Sequence, residues 1–388
     1  MLGTSQLLSW ATTFYLPAVV SDPAARDLHA THGAILGGFS WALLITGVCA
    51  PRVGKWIGRH GGRGALAAST IVFAAGLTIL ATAAGVPAWY AGWSVLGAGM
   101  AMGLYDAAFA TAGVLLGTSV SPVITGVTLI AGFASTVGWP MGTALLGLAG
   151  WRGMLLAYAA GQLIVNLPLV IWAVPPGVFV PREAVAEQSR SAATTSRRVA
   201  IICLASFFAV RWFLTSAIAA HVLQVMGGLG LSTREALVAA MLIGPGQVAG
   251  RLLEWSVVPW LGPLVCARLG ALLFPAGALL LLAGGPVAVA GFALLYGMSN
   301  GILTVNRGTL PMLVLGPGGY AGLLGWLAVP VLLAQAVAPT ASVPLIAALP
   351  SLDLLLLAAA IAAVVTGLLL PLKLWRPSGR LAGRVKVS

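Results

Sequence analysis

Two charged residues interrupt long apolar stretches of the sequence, and this position predicts a functional role for each. Asp106 lies within the stretch 88–115, and Arg211 lies within the stretch 199–225. A charged group at the centre of a bilayer costs about 2.5–3.5 kcal/mol on insertion scales, so it is expected to face a partner, water or a solute. The carboxylate can accept a proton or pair with a substrate, whereas the arginine stays charged and requires a carboxylate, carbonyl groups, water or an anion. Alternatively, either residue is a structural group that only joins helices.

Polar side chains also recur at helical spacing in two of the apolar stretches. Residues three and four positions apart share one face of a helix, and lipid does not tolerate a polar face of this kind. We therefore expect these faces to turn toward a cavity or toward other helices. They comprise Tyr296, Asn300, Thr304 and Arg307 in one stretch, and Gln6, Trp10, Thr13 and Pro17 in the other, where Tyr15 lies on a second face.

One histidine and two tryptophans extend the set of candidates. His221 follows Arg211 by ten residues, and an imidazole that titrates near neutral pH suits a proton relay. The alternative is a solvated histidine at a membrane interface. Most of the 13 tryptophans are typical of interfacial belts, whereas Trp139 and Trp326 lie deeper in their stretches and are candidates for substrate contact.

The sequence shows no pattern that is typical of an enzyme. It has no Walker loop for phosphates, no H-E-x-x-H zinc pair and no G-x-S-x-G nucleophile elbow. The four histidines do not cluster, and the three cysteines are far apart, so neither a metal site nor a disulfide framework is expected. We predict a protein that is not an enzyme and that uses no cofactor or metal, with a proton or another ion as a candidate coupling ion.

The composition indicates that membrane-embedded helices position these residues. Hydrophobic residues make up 60% of the 388 residues and charged residues only 7%, against about 25% charged residues in ordinary soluble domains. A bilayer accepts such a surface directly, and the 50 glycines suit helices that approach each other closely in lipid. The net charge of +12 lies mainly between helices and in the C-terminal tail, so it indicates orientation in a membrane and not a nucleic-acid partner.

Stretches of about 20 apolar residues can cross a bilayer, and the sequence predicts twelve of them. They are 2–20, 33–51, 65–84, 88–115, 123–146, 151–173, 199–225, 233–256, 264–283, 286–309, 318–340 and 350–372. The longest polar interruption follows the sixth stretch and divides the chain into two six-helix halves. The predicted units are an N-terminal bundle at 1–174, a linker at 175–198, a C-terminal bundle at 199–372 and a basic tail at 373–388.

Basic residues between the spans predict the orientation of the chain. The segments 52–63, 174–198 and 373–388 hold four, four and five Lys and Arg residues, whereas the connections on the other side hold three in all. Both termini are therefore expected in the cytoplasm.

The two halves repeat glycine patterns at an offset of 196–198 residues. Gly99 and Gly103 in the fourth span match Gly297 and Gly301 in the tenth, and the segment 53–58 matches 249–254. Parallel halves of this kind imply a central cavity near the bilayer midplane. The predicted fold class is thus an all-α polytopic membrane protein with two pseudo-symmetric halves.

The segment 51–63 resembles the signature loop between helices two and three of the major facilitator superfamily, whose pattern is roughly G-x-x-x-D-R-x-G-x-R. The matching residues are Gly54, Arg59, Gly61 and Arg63. Gly58 stands at the acidic position of the pattern. The resemblance implies that this loop gates the cytoplasmic side, with Arg251 and Glu254 at the corresponding position of the second half, and that the missing acid weakens the latch.

A second resemblance lies in the fifth span. Gly138, Pro140 and Gly142 are similar to the Gly/Pro motif of proton-coupled exporters in the same superfamily. Glycine and proline are also frequent in membrane helices in general, so a purely structural origin remains the alternative.

The resemblance implies secondary active transport of a small organic solute by rocking-switch alternating access, as symport or antiport. In this fold the fourth and seventh helices line the cavity, so Asp106 and Arg211 are expected to pair across it. The substrate and coupling residues are then Asp106, Arg211, Tyr15, Thr13, Asn300, Thr304, Tyr296 and His221. We expect a monomer in the inner membrane of a bacterium, with the lipid bilayer and a small molecule as its partners.

The class of solute is left open by the sequence. Arg211 favours an organic anion such as a carboxylate, whereas the Gly/Pro motif favours export of a drug-like or metabolite compound. A third alternative is a membrane receptor or assembly factor that keeps the fold but moves no solute, which Gly58 in place of the acid favours. A channel is disfavoured because the spans hold no repeated filter segment.

Overall fold

A computed structural model describes residues 1–176 and 195–374, and every regular element in these ranges is helical. The N-terminal half consists of α1 (Leu2–Thr12), α2 (Pro17–Asp27), α3 (His32–His60), α4 (Arg63–Ala81), α5 (Val86–Gly103), α6 (Tyr105–Leu116), α7 (Ser121–Ala131), α8 (Ala134–Gly161) and α9 (Leu167–Ala173). The C-terminal half consists of α10 (Thr195–Ala220), α11 (Val222–Gly227), α12 (Thr233–Leu261), α13 (Pro263–Leu280), α14 (Gly285–Leu315), α15 (Tyr320–Ala341), α16 (Val343–Ala348) and α17 (Ser351–Thr366). Most of the predicted linker and all but two residues of the predicted tail lie outside the described residues.

The predicted all-helical membrane fold is confirmed. Within the described ranges, nine helical stretches are long and apolar enough to cross a membrane. One of them, Val86–Ala173, covers three predicted spans, and the other eight each match one predicted span. The first predicted span, 2–20, is divided between α1 and α2, which have 11 residues each.

Helices begin and end largely where their residues favour it. Proline stands in the first turn of α2 and of α7, where its missing N–H group is not needed. At the start of α12, Ser232 and Glu235 form a capping box, in which the Glu235 carboxylate accepts from the Ser232 N–H at 2.9 Å. Leu104, between α5 and α6, has an extended backbone with φ −90° and ψ −170°. The residue type at this position does not predict this break between the two helices.

Successive spans run in opposite directions, so the connections alternate between two ends of the bundle. We call the end with the turn at 61–62 the basic end and the end with the connection at 82–85 the opposite end. At the opposite end Arg152 follows the non-helical Gly150 within α8. It joins the connections after α2 and after α4, because it pairs with Asp27 at 2.8 Å and donates to the carbonyl groups of Ala81 and Ala83 at 2.7 and 2.9 Å. These contacts make the end of this half one packed unit.

The halves are joined by α3 and α15, which lie against each other. Leu43 and Ala50 of α3 share an apolar cluster with Ala328 and Leu332 of α15. Further along the same pair, the α-carbon of Gly325 lies against the backbone of Ala50, where a side chain would collide. Small residues permit this close approach, which stabilises helix pairs in lipid.

The large apolar clusters at the two ends differ in whether they contain residues of both halves. At the basic end a single cluster contains residues of both halves: Ile57, Phe109 and Ile124 from one, and Met312, Tyr320 and Leu324 from the other. Toward the opposite end the two large clusters each belong to one half, around Trp89 and Trp93 in the first and around Phe274 and Phe292 in the second. The halves are thus sealed together by an apolar layer at the basic end.

Candidate functional site

A cavity of about 180 Å³ lies between the two halves and receives side chains from both. Its polar and charged lining includes Tyr15, Thr46, Tyr105, Asp106, Arg211, Thr215, Gln247, Arg251, Asn300, Thr304, Arg307 and Gln335. Its aromatic lining includes Trp10, Phe14, Phe109 and Trp212. The sequence therefore places its buried charges where a solute between the halves would meet them.

Asp106 forms an ion pair with Arg307, so the pair crosses from one half to the other. The carboxylate Oδ2 accepts from Nη2 of Arg307 at 2.6 Å, and the side chains are 21% and 15% exposed. Asp106 is the second residue of α6, directly after the break at Leu104, so it also faces the positive end of that helix. The guanidinium of Arg307 lies over Trp212 at 5.4 Å. This partner differs from the predicted one, Arg211.

Arg211 lies on the second half of the cavity and is held by its own half. Its Nη2 donates to Ser299 Oγ at 2.9 Å, and the guanidinium lies over the ring of Phe274 at 5.1 Å. The residue is only 1% exposed. Its Nε and Nη1 have no hydrogen-bond partner within 1–176 and 195–374.

Arg251 projects from α12 into the same cavity and reaches the other half. Its guanidinium packs against Gly132, which ends α7, so closely that a side chain at Gly132 would overlap it. The residue is 3% exposed, and Nη2 has only a long contact of 3.5 Å to Gln247. Among the described residues, Nε and Nη1 have no partner. A buried cation with this few hydrogen bonds is costly unless an anion or water completes its shell.

Glu254 lies one turn beyond Arg251 but does not pair with it. The described residues form three ion pairs, and none contains either side chain. Glu254 is 3% exposed and faces Thr125 of α7 in the other half. The sequence placed both residues near the end of the eighth predicted span, 233–256, as candidate gating residues; they lie within α12, which continues beyond that span to Leu261.

The polar side chains predicted on one face of α14 divide between the cavity lining and the helix contacts behind it. Asn300 accepts a hydrogen bond from Thr215 at 3.1 Å, and Thr304 donates to the Asn300 carbonyl group at 2.7 Å. Tyr296 is 2% exposed and packs between Phe274 and Phe292, behind the lining. Asn300 and Thr304 thus line the cavity, whereas Tyr296 packs behind its wall.

The polar residues of the first predicted span, 2–20, lie in three different surroundings, and His221 lies apart from them. Gln6 donates to the carbonyl group of Gly103 at 2.7 Å, which satisfies a backbone group next to the break at Leu104. Tyr15 lines the cavity and meets Trp139 edge-on at 5.8 Å. Thr13, directly after α1, is fully buried and donates to the Ser9 carbonyl group of that helix. His221 is outside the lining, between α10 and α11, and its Nε2 lies 3.0 Å from the Pro339 carbonyl oxygen.

The signature loop lies at the basic end. Gly54 is buried where α3 meets Ala321 of α15, so any side chain there would strike the neighbouring backbone. Gly61 ends α3 with φ 78°, a conformation that favours glycine. Arg59 is exposed and Arg63 is the first residue of α4. Trp326 is 57% exposed and lies under Lys55 at 5.6 Å, outside the cavity lining.

Sequence reasoning missed two groups of residues near the cavity. Tyr105 stacks on Phe109 at 5.1 Å and contacts Trp10 at 4.6 Å, which forms an aromatic surface. Behind α1, Gln162 donates to Thr12 at 2.7 Å within a π-helical turn. The spacing of Tyr105 and Phe109 by four residues, next to Asp106, is the signal that could have indicated the first group.

Comparisons with known proteins find likeness in the fold. The sequence alone matches no protein-family profile and no curated protein. The structure is similar to that of the E. coli fucose:proton symporter FucP, with a TM-score of 0.70 at 16% identity over 95% of this chain and 97% of the other. A second structure of FucP, a major facilitator superfamily transporter, is in the outward conformation and gives 0.70 at 15% identity over 95% and 97%. The human organic anion transporter MFSD10 (TETRAN) gives 0.65 at 18% identity over 95% and 96%.

Proposed function

We propose that this chain, which has the fold of the major facilitator superfamily, is a secondary transporter that carries a small organic solute across a membrane. The observation that supports the proposal most is a charged cavity between two halves of a bundle whose exterior is apolar. Buried ionisable groups in a membrane protein mark substrate or ion pathways by default. Four such groups line this one cavity, Asp106, Arg211, Arg251 and Arg307, and a purely structural protein does not require them there.

The apolar layer at the basic end supports a rocking-switch mechanism. It closes the cavity on that side, whereas the large clusters at the opposite end are separate for the two halves. Rocking about the contact of α3 with α15 would open the basic end and close the other. Asp106 and Arg307 belong to different halves, so this motion would strain or break their ion pair. A proton or a solute that competes for either group would thereby couple to the motion.

We propose that the basic end faces the cytoplasm of a bacterium and that the protein works as a monomer in the inner membrane. The exposed Arg59 and the other basic residues of that end support this orientation. The cavity would then face outward, which is also the conformation of one of the two FucP structures.

Transport by purified protein in proteoliposomes tests the proposal. With an imposed proton gradient we expect accumulation of at least one solute from a panel of sugars, carboxylates and neutral metabolites. Asp106→Asn is expected to abolish gradient-driven accumulation but to retain counterflow of the same solute, because exchange requires no net proton movement. Asp353→Asn changes an exposed carboxylate and serves as the control.

Two results would contradict parts of the proposal. Full gradient-driven accumulation by Asp106→Asn would exclude this carboxylate as the coupling group. Ligand binding without flux in either mode would exclude transport and favour the receptor alternative. Solute uptake into inside-out vesicles, driven by protons that leave the lumen, would identify an exporter, for which the packing of Gly138 on Ala11 in the Gly/Pro motif is the supporting contact.

A further inference from the structure

The cavity is chemically asymmetric between the halves. Among the described residues, three arginines line it, Arg211, Arg251 and Arg307, and all come from the C-terminal half. Most of its aromatic side chains come from the N-terminal half, and we call this group the aromatic wall: Trp10, Phe14, Tyr15, Tyr105 and Phe109. The wall is continuous, because Trp10 contacts Phe14, Tyr15 and Tyr105, and Tyr105 stacks on Phe109.

The three arginines differ in how completely they are paired. Arg307 is neutralised by Asp106 and covered by Trp212. Arg211 has one hydrogen bond to Ser299 and one ring contact. Arg251 has only the 3.5 Å contact to Gln247, although just 3% of the residue is exposed. The guanidinium of Arg251 is thus the least satisfied cation of the lining.

Arg251 is also held in position by the other half. Helix α7 of the N-terminal half ends at Gly132, and the guanidinium of Arg251 occupies the space that a side chain at Gly132 would take. A planar guanidinium with free N–H groups matches the two oxygens of a carboxylate. A neutral or cationic solute would leave it buried and unpaired, which disfavours such solutes.

We propose, building on the transport function above, that the cavity binds a ring-bearing carboxylate, with the carboxylate on Arg251 and the ring on the aromatic wall. Arg211 supplies a second positive group on the same side. The wall stabilises a flat or apolar ring through offset and edge contacts. The solute would therefore bridge the two halves, with its charge on one and its ring on the other.

Binding to the purified full-length protein in detergent tests this inference. The probes are benzoate, 4-hydroxybenzoate and cyclohexanecarboxylate, and the comparison compounds are benzamide, benzylamine and acetate. We expect the ring carboxylates to raise the thermal unfolding midpoint and to change tryptophan fluorescence, since Trp10 and Trp212 line the cavity. Benzamide and benzylamine lack the negative charge, and acetate lacks the ring, so each is expected to bind more weakly.

Variants locate the binding site. Arg251→Gln is expected to weaken ring-carboxylate binding roughly ten- to a hundredfold, the loss that corresponds to a charged hydrogen bond. Gly132→Ala should weaken it as well without removing a charge, because the added methyl group displaces the guanidinium. Arg234→Gln removes an exposed arginine at the opposite end and should bind as the unchanged protein does. Unliganded unfolding midpoints report whether each variant folds.

The outcomes separate this inference from the transport proposal. No response to any of the three ring carboxylates, or binding that neither Arg251→Gln nor Gly132→Ala weakens, would overturn the inference. Counterflow of a neutral sugar without ring-carboxylate binding would overturn it while transport stands. Ring-carboxylate binding that Arg251→Gln weakens, without any counterflow, would support the inference and reject transport.

Discussion

At the scale of residues, the ion pair of Asp106 with Arg307 is the contact with the clearest energetic consequence. Both side chains are mostly buried, and the pair joins the two halves. Removal of one partner from a buried pair costs about 3–5 kcal/mol because an uncompensated charge remains, whereas removal of both costs much less.

We therefore predict that Arg307→Gln lowers the thermal unfolding midpoint strongly and that Asp106→Asn combined with Arg307→Gln recovers most of the loss. The measurement is thermal unfolding of each variant in one detergent at equal concentration. Asp27→Asn is the matched control, because the pair of Asp27 with Arg152 is 48% and 40% exposed and exposed pairs contribute only about 0–1 kcal/mol. Equal destabilisation by Asp27→Asn and Asp106→Asn would contradict this account.

At the scale of elements, the contact between α3 and α15 is the place about which the halves would rock in the proposed mechanism. Its close approach depends on glycine, and Gly325 lies directly against the Ala50 backbone. Added volume in such a contact forces the backbones apart and costs about 1–3 kcal/mol.

Gly325→Val is therefore expected to lower both the unfolding midpoint and the transport rate. Gly322→Val is a control in the same helix, one turn earlier, where an added β-carbon meets only Lys55 Cγ at an ordinary 3.6 Å. The two variants are compared by thermal unfolding and by counterflow. A larger effect at Gly322 than at Gly325 would show that the close approach is unimportant.

The sequence predicted the helices well but their interruptions poorly. Long apolar stretches with proline and glycine at their ends are local signals, and eight described stretches match a single predicted span each. The residue type at Leu104 does not predict the break there, and the hydrogen bond that satisfies the neighbouring Gly103 carbonyl group comes from Gln6 of another helix. The residue pattern of one segment does not predict contacts that depend on tertiary structure.

The same limit applies to the internal repeat and to the site. Gly97 approaches the backbone of Ala42 in the second span, and Gly297 approaches that of Ile243 in the eighth. Gly97, and not Gly99, is therefore the spatial counterpart of Gly297, and a shift of two residues escapes an alignment of short glycine patterns. Asp106 was found as a buried charge, but its partner depends on the register between α6 and α14, which no sequence spacing fixes.

At the scale of the whole molecule, the cavity differs in how it is bounded toward the two ends of the bundle. The cavity is separated from the basic end by the apolar cluster that both halves share. A reagent added at the opposite end should therefore reach the cavity more readily than one added at the basic end.

Cysteine labelling in proteoliposomes measures this difference. The three native cysteines are replaced by serine; Cys203 and Cys266 are buried and Cys49 is partly buried. Thr304→Cys, in the cavity, is expected to react with an impermeant maleimide added at the opposite end. Met312→Cys, in the shared cluster and fully buried, is the protected control. Faster labelling of Met312→Cys than of Thr304→Cys would contradict the assigned conformation.

The excess of arginine over aspartate in the cavity has an electrical consequence. Three arginines and one aspartate among the described lining residues leave a net charge of two positive. Each elementary charge that crosses the full field changes its free energy by about 2.3 kcal/mol per 100 mV. A membrane voltage that is negative inside would draw the unloaded cavity inward, and a bound anion would weaken this pull. Under the proposed transport function, voltage would thus act on the empty protein more than on the loaded one.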